Sequence, residues 1–268
     1  MVEFQRKDFY SYEDFLEIMR LLRAPGGCPW DREQTHGSIR RNFLEETYEV
    51  LDAIDHDDAN GMCEELGDVL MQVAFHAQIE AERGRFTMAD VVDGVARKLV
   101  YRHPHVFGDV QADTSQQVLA NWDVLKRREK GQRSTADAVE AVPHTLPALW
   151  RAEKIQSKTA KAGFDWTSSL QALDKLEEEV RELRAALESG QAADAPHGVR
   201  EELGDTLFMA TKIAQMSGVD PEDALHQACD KFDRRFRAVE EAADKPLSEC
   251  GEAELLALWN DAKSHDPS

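Results

Sequence analysis

Residues 44 to 54, Leu-Glu-Glu-Thr-Tyr-Glu-Val-Leu-Asp-Ala-Ile, set Glu45, Glu46, Glu49 and Asp52 into a stretch that otherwise carries an apolar helical face. At about 100° per residue these carboxylates fall within roughly a third of the helix circumference, and Phe43, Leu44, Tyr48, Val50, Leu51 and Ile54 spread over the remainder. Glu65 and Asp68 stand three apart on the next helical segment, on adjacent turns. If a short connection makes the two segments an antiparallel pair, their carboxylates converge. Like charges gathered in this way are costly without a counter-ion, and hard divalent cations with oxygen ligands are the natural partners.

A lone Glu-Glu-x-x-Glu is common on solvated helix faces, so the repetition of the whole pattern carries the argument. Glu178-Glu-x-x-Glu182 answers Glu45-Glu-x-x-Glu49, and Glu202-Leu203-Gly204-Asp205 answers Glu65-Leu66-Gly67-Asp68. Lys98 and Arg102 are matched by Lys231 and Arg235, and Trp122 and Lys126 by Trp259 and Lys263, all in one order. A duplicated domain of roughly 130 residues is expected. Glycine costs about 1 kcal/mol inside a helix, yet Gly67 and Gly204 hold the same place beside both acidic pairs. Close helix approach near the site is the expectation.

The elements that must position these residues read as helices. Segments 12–23, 40–55, 62–83, 88–101, 170–189, 199–216 and 221–242 carry apolar residues three and four apart, and none shows the alternation of a strand, so the fold class is all-α. The polar run from Lys130 to Asp137, continuing to Pro143 and Pro147, has the composition of a linker. The division expected is an N-terminal domain over 1–129, a linker over 130–147 and a C-terminal domain over 148–268.

Composition limits the partners. With 52 acidic and 32 basic side chains the formal charge is −20, which repels a nucleic-acid backbone and argues against general nucleic-acid binding. A small phosphorylated substrate requires local cations, from bound metal or from placed Lys and Arg. No run of 18 or more apolar residues appears and the N-terminus lacks a signal-peptide core, which predicts a cytoplasmic protein with no membrane association. Cys28, Cys63, Cys229 and Cys250 form no Cys-x-x-Cys pair, so reduced thiols are expected.

The strings Gly27-Cys28-Pro29-Trp30-Asp31, Arg102-His103-Pro104-His105-Val106-Phe107, Lys154-Ile155-Gln156 and Gly163-Phe164-Asp165-Trp166 flank these features. Together with Glu-Glu-x-x-Glu followed roughly sixteen to twenty residues later by Glu-x-x-Asp, they make the chain resemble the MazG family of nucleoside triphosphate pyrophosphohydrolases over nearly its whole length. The resemblance implies tandem all-α bundle domains and a homodimer. It also implies Mg²⁺-dependent hydrolysis of ribo- and deoxynucleoside triphosphates to monophosphate and pyrophosphate, with Mn²⁺ as a substitute metal, residing mainly in the C-terminal domain. The housekeeping of nucleotide pools is the corresponding role.

Carried over position by position, Glu179, Glu182, Glu202 and Asp205 bind metal in the second domain, and Glu46, Glu49, Glu65 and Asp68 in the first. Glu178 and Glu45 support the site or help to activate water. Lys231, Arg235 and Lys263 hold the phosphates, with Lys98, Arg102 and Lys126 as first-domain counterparts, and Trp259 is a candidate for stacking on the base. Water attack at the α-phosphorus needs a nucleophile made at neutral pH, which metal coordination supplies, and fixed cations offset the charge on departing pyrophosphate.

Other residues rate lower. Trp30 and Trp166 are secondary stacking candidates, His103 and His105 flank a proline in a loop-structural role, and Met71, His76 and Met209 read as packing residues. A ferritin-like di-iron bundle requires Glu-x-x-His pairs, which are replaced here by Glu-x-x-Asp. A non-catalytic acidic interaction protein leaves the matched Lys and Arg pairs unexplained. Within the enzyme class the alternative is a pyrophosphatase narrowly specific for dUTP or dCTP.

Overall fold

A computed structural model of the chain describes residues 2–266 apart from 112–113, 115–116, 119–120, 123–124, 127–128, 130, 132 and 191. Among the described residues the regular structure is entirely helical, and no helix is long and apolar enough to cross a membrane. The chain divides into two compact units, Met1–Leu125 and Lys126–Ser268.

The first unit contains α1 (Tyr12–Arg23), α2 (Pro29–Glu33), α3 (Arg40–Asp55), α4 (Ala59–Glu82), α5 (Met88–Arg102) and α6 (Pro104–Phe107). Local chemistry sets the ends: Ser11 with Asp14 and Thr87 with Asp90 form capping boxes, and the Asp58 carboxylate accepts from the Asn60 and Gly61 amides. Only His56 to Asp58 separate α3 from α4, with Asp57 at φ 52°, so the two helices return antiparallel. Met19 from α1, Ile39 before α3 and Ala74, Phe75 and Ile79 from α4 form the core, with Phe15, Leu16 and Met71 packed on it. Gly27 permits the turn after α1, because a Cβ there would collide with the carbonyls of Leu21 and Leu22.

The second unit contains α7 (Thr135–Glu140), α8 (Ala148–Ala160), α9 (Ser169–Ser189), α10 (Val199–Met216), α11 (Pro221–Ala242), a 3₁₀ turn (Leu247–Glu249) and α12 (Glu252–His265). α9 and α10 pack as the main pair, α8 lies on α10 and α11 pairs with α12. Gln156 on α8 donates from Nε2 to the Phe208 carbonyl at 2.7 Å, joining α8 to α10. In the segment whose composition suggested a linker, Lys130 and Gln132 lie outside the described residues. The remainder carries α7, with Ala138 and Val142 each 2 % exposed, and α7 packs on α8.

Two sequence expectations change. The expected close approach at Gly67 and Gly204 is not present within the chain, since both are exposed and an added Cβ would meet nothing within 4 Å. His76 is more than a packing residue. Its Nδ1 lies 2.7 Å from Nδ1 of His36, whose Nε2 contacts the Glu80 carboxylate, which also holds Arg83 and Arg85. Burial and the neighbouring His36 lower the His76 pKa, and Glu80 is brought down to about 2, chiefly by its His36 hydrogen bond and then by that of Arg85.

Candidate functional site

In the second unit the α9–α10 pair places Glu179 and Glu182 on one helix against Glu202 and Asp205 on the other. Glu179 and Glu202 are 6 % and 5 % exposed, an unusual situation for carboxylates. Oxygen atoms of Glu179, Glu202 and Asp205 all lie within 4.8 Å of one another. Glu182 joins them electrostatically: burial raises its pKa, and the charges of Glu179 and Glu202 add to that while Lys175 opposes it. Oxygen-only donors arranged in this way fit a hard divalent cation.

Two residues absent from the sequence assignment border this cluster. Lys175, four residues before Glu179 on α9, bridges Glu178 Oε1 at 2.7 Å and Glu179 Oε1 at 2.8 Å. The Glu178 hydrogen bond, followed by that of Glu179, raises the lysine pKa, and Lys175 in turn holds Glu178 below the usual carboxylate range. Glu178 is thus turned toward Lys175, the ammonium that also contacts Glu179. His197, at φ 54° in the connection from α9 to α10, brings Nδ1 to 3.6 Å from Glu202 and 3.9 Å from Glu201. Gly198 allows that tight entry into α10, because a Cβ there would stand 2.6 Å from the Ala195 carbonyl and 2.7 Å from that of Ala193. A cavity of about 410 Å³, lined by Glu182, Ala185, Ser189, Pro196, His197 and Glu202, opens beside the carboxylates.

The first unit repeats the convergence on α3 and α4. Glu46, Glu49 and Glu65 offer oxygens within 4.8 Å of one another. Burial raises the pKa of Glu46, with the Asp68 and Glu49 charges next, and burial followed by Glu49 raises that of Glu65. Among the described residues no cation forms an ion pair with Glu46, Glu49, Glu65 or Asp68. Glu45 points outward to Arg41, Nε to Oε1 2.7 Å, much as Glu178 turns to Lys175.

The cationic candidates occupy other helices. Lys231 and Arg235 lie on α11, Trp259 and Lys263 on α12, and the Trp259 ring is 5.3 Å from that of Phe232. Arg235 is engaged by Asp266, Nε to Oδ2 2.8 Å, with Arg234 at 3.5 Å from the same carboxylate. In the first unit Lys98 and Arg102 sit on α5. Lys98, Lys126, Lys231 and Lys263 form no ion pair with a described residue. The structure therefore gathers the carboxylates within each unit and leaves the cations on separate helices. Of the other candidates, Trp30 is 59 % exposed, and Trp166 has the buried Lys212 ammonium 5.9 Å from its ring centroid. His103 bonds through Nδ1 to the Leu99 carbonyl and packs edge-on to Trp122, a structural arrangement.

Comparison with known proteins agrees with this duplicated geometry. The MazG nucleotide pyrophosphohydrolase domain matches twice, at residues 34–107 and 167–239, each match containing one carboxylate group. The chain is 46 % identical over 226 residues to the nucleoside triphosphate pyrophosphohydrolase of Escherichia coli K12, covering 84 % of this chain and 85 % of that protein. It is 42 % identical over 258 residues to the nucleoside triphosphate pyrophosphohydrolase/pyrophosphatase MazG of Thermotoga maritima, covering 95 % and 96 %. An uncharacterized protein of Bacillus subtilis, YabN, is 44 % identical over 260 residues, which are 95 % of this chain and 52 % of that protein. Two copies of one all-α domain, each with acidic side chains converging between paired helices, make this chain a hydrolase of the MazG nucleotide pyrophosphohydrolase family.

Proposed function

We propose that the chain hydrolyses ribo- and deoxynucleoside triphosphates to nucleoside monophosphate and pyrophosphate, with Mg²⁺ or Mn²⁺, principally in the second unit. The observation that carries this reading is the convergence of buried Glu179 and Glu202 with Asp205, an oxygen donor set beside an open cavity. Glu179, Glu182, Glu202 and Asp205 would hold the metal, and such an ion supplies acidity to water and offsets phosphate charge at neutral pH.

The chain's own residues account for the rest of the assignment. Lys175 neutralises part of the acidic group in the absence of metal, and its ammonium is the cation nearest the carboxylates for a phosphate oxygen to meet. Glu178, held ionised by Lys175, is a weak proton acceptor, so it is assigned to orienting the attacking water rather than to carrying its proton away. Lys231, Arg235 and Lys263 supply fixed cations for the departing pyrophosphate, which requires Arg235 to exchange Asp266 for a phosphate oxygen. Trp259 offers a ring for the base.

The reading includes a homodimer. Leu203, Leu207 and Phe208 on α10 and Leu173, Val180 and Leu187 on α9 are 37–62 % exposed, an apolar surface that water disfavours. Gly204 lies on this exposed stretch with no atom to meet its face, so a helix of a second chain can approach closely there. A cytoplasmic location accords with cysteines that are unpaired among the described residues.

Product analysis tests the reaction. A panel of ribo- and deoxynucleoside triphosphates with Mg²⁺ should yield monophosphate and pyrophosphate, with activity abolished by Glu179→Ala and largely retained in Glu46→Ala. Orthophosphate and diphosphate from the folded protein, or no product from any nucleotide, would show the assignment to be wrong. Turnover of dUTP or dCTP alone would narrow it.

A further inference from the structure

His76 and Glu80 follow one another by a helical turn on α4, at positions that the second unit fills with Ile213 and Ser217. His76 meets His36, which comes from the segment between α2 and α3. Their rings stack at 14° with centroids 5.0 Å apart, and their Nδ1 atoms are separated by 2.7 Å. On its other side His36 Nε2 contacts Glu80, a carboxylate only 4 % exposed that also takes Arg83 Nη1 at 3.1 Å and the Arg85 guanidinium. A chain of contacts thus runs from two guanidinium groups through one carboxylate to two imidazoles, and the second unit has no counterpart to its histidines.

The hydrogens along this chain can be assigned. Glu80, brought down to about 2, is ionised at neutral pH and only accepts, so the hydrogen of its contact with His36 sits on His36 Nε2. A neutral His36 then carries its lone pair on Nδ1, and the contact with His76 needs its hydrogen on His76 Nδ1. His76 Nε2 is left as the basic atom. One proton arriving there is accommodated, because the bridging hydrogen can pass to His36 and leave the positive charge beside Glu80. A second proton puts hydrogen on both Nδ1 atoms, and two N–H groups cannot face each other across 2.7 Å. The other charged groups nearby are engaged elsewhere: Arg23 of α1 binds Glu82, and α3 presents the Phe43 ring edge-on to His76 while Arg41 holds Glu45 and Glu46 lies toward Asp68 and Glu49. On α5, Asp90 binds Thr87 and Asp93 binds Arg97.

We propose that His36 and His76 form a one-proton latch that ties the segment before α3 to α4, closed at neutral pH and released in acid when both rings are charged. The segment ends in the core at Ile39, which is 2 % exposed and whose carbonyl accepts from the Phe43 amide at 3.2 Å. Release therefore loosens the entry into α3 in the first unit alone. Burial, then the charge of His36, lowers the His76 pKa, in keeping with a closed pair that refuses the second proton. An opened chain binds that proton near the ordinary value of 6.5. The latch thus holds best above about pH 6.5 and weakens as the pH falls below it, because the open state binds more protons. If the closed pair takes no second proton at all, the ratio of open to closed forms rises by about 25-fold from pH 7 to pH 5.

Hydrogen exchange of the full-length protein at pH 7 and pH 5, corrected for intrinsic rates, tests this against His76→Phe. Between the two pH values the amides of residues 35–43 should open more in the wild type than in the variant, by up to about 25-fold, while α10 should respond alike in both proteins. Taking the difference between wild type and variant removes the contribution of Glu46 and Glu65, whose raised pKa values act in the opposite sense. A nitrogen-15 NMR titration of the wild-type histidines gives an independent reading. It should show His36 as the Nε2–H tautomer and His76 as the Nδ1–H tautomer at pH 8, and a second proton bound at least about 10-fold more weakly than the first. Acid opening of residues 35–43 that is the same in His76→Phe, or that is matched in α10, would overturn the latch. Two rings that titrate independently would overturn it as well, and that result decides the question even if His76→Phe does not fold.

Discussion

Lys175 does for the second unit what a metal would do, so its removal should exchange internal stability for dependence on an ion. Its bond to exposed Glu178 contributes little, being screened by water. The bond to Glu179 is different because that carboxylate is 6 % exposed, and the lysine side chain is about one-third exposed. A charge-assisted bond of this kind, discounted for that exposure, contributes about 1–2 kcal/mol. Lys175→Met should therefore lower the unfolding midpoint in EDTA by about 2–8 °C, given about 2–4 °C per kcal/mol for a chain of this size. Saturating Mg²⁺ should return most of that loss and stabilise the variant by more than it stabilises the wild type. Catalytic efficiency with nucleoside triphosphate should still fall, since the nearest ammonium is gone. Differential scanning fluorimetry across a Mg²⁺ titration reads the first two effects. Equal midpoints for variant and wild type in EDTA, together with equal Mg²⁺ responses, would refute the claim that Lys175 stands in for the ion.

Further outcomes follow from the same geometry. Asp266→Asn removes the carboxylate that engages Arg235, and steady-state kinetics should show KM reduced by about two- to fivefold with kcat little changed; a raised KM would mean that Asp266 positions Arg235 instead. In the metal-free protein Glu46, Glu65 and Glu182 have raised pKa values, so stability should fall as pH rises above their ordinary value of about 4.5, and the stabilisation by Mg²⁺ should grow from pH 5 to pH 8 as measured by thermal melts. Glu80 behaves in the opposite sense: held at about 2, it contributes stability above its ordinary range that is lost as pH falls from about 4.5 toward 2. Glu80→Gln should accordingly be less stable than wild type in urea at pH 7, and the difference should shrink as the pH approaches 2.

How far the sequence foretold this arrangement depended on the physical kind of each signal. Helices 12–23, 40–55, 199–216 and 221–242 coincide with α1, α3, α10 and α11 because each alternates apolar and charged faces at the helical period. α12 lacks that contrast, since Leu255, Leu256, Leu258 and Trp259 run together and spread over its circumference. The convergence of carboxylates was legible because two copies shared one spacing. Lys175 is an i,i+4 partner of Glu179 and so was readable in principle, but it stands in a helix crowded with charge. His197 was not readable, since its approach to Glu202 depends on a left-handed residue in an irregular connection. Gly67 and Gly204 pointed to a close approach that the chain does not make with itself.

The glycines and the duplication bear on one another. A glycine inside a helix costs stability wherever nothing exploits the missing side chain, and here both copies pay that cost on faces also carrying Leu66, Leu70, Leu203 and Leu207 at 38–51 % exposure. A second chain laid along either face would bury those leucines and use the glycine for contact. It would also lie across helices that carry the carboxylates, because Gly67 sits between Glu65 and Asp68 and Gly204 between Glu202 and Asp205. Association and the geometry of the acidic groups are then coupled through the same turn of helix. Substituting Gly204 by a bulky residue should consequently disturb oligomeric state and activity together, whereas the same change in a self-sufficient monomer would meet only water.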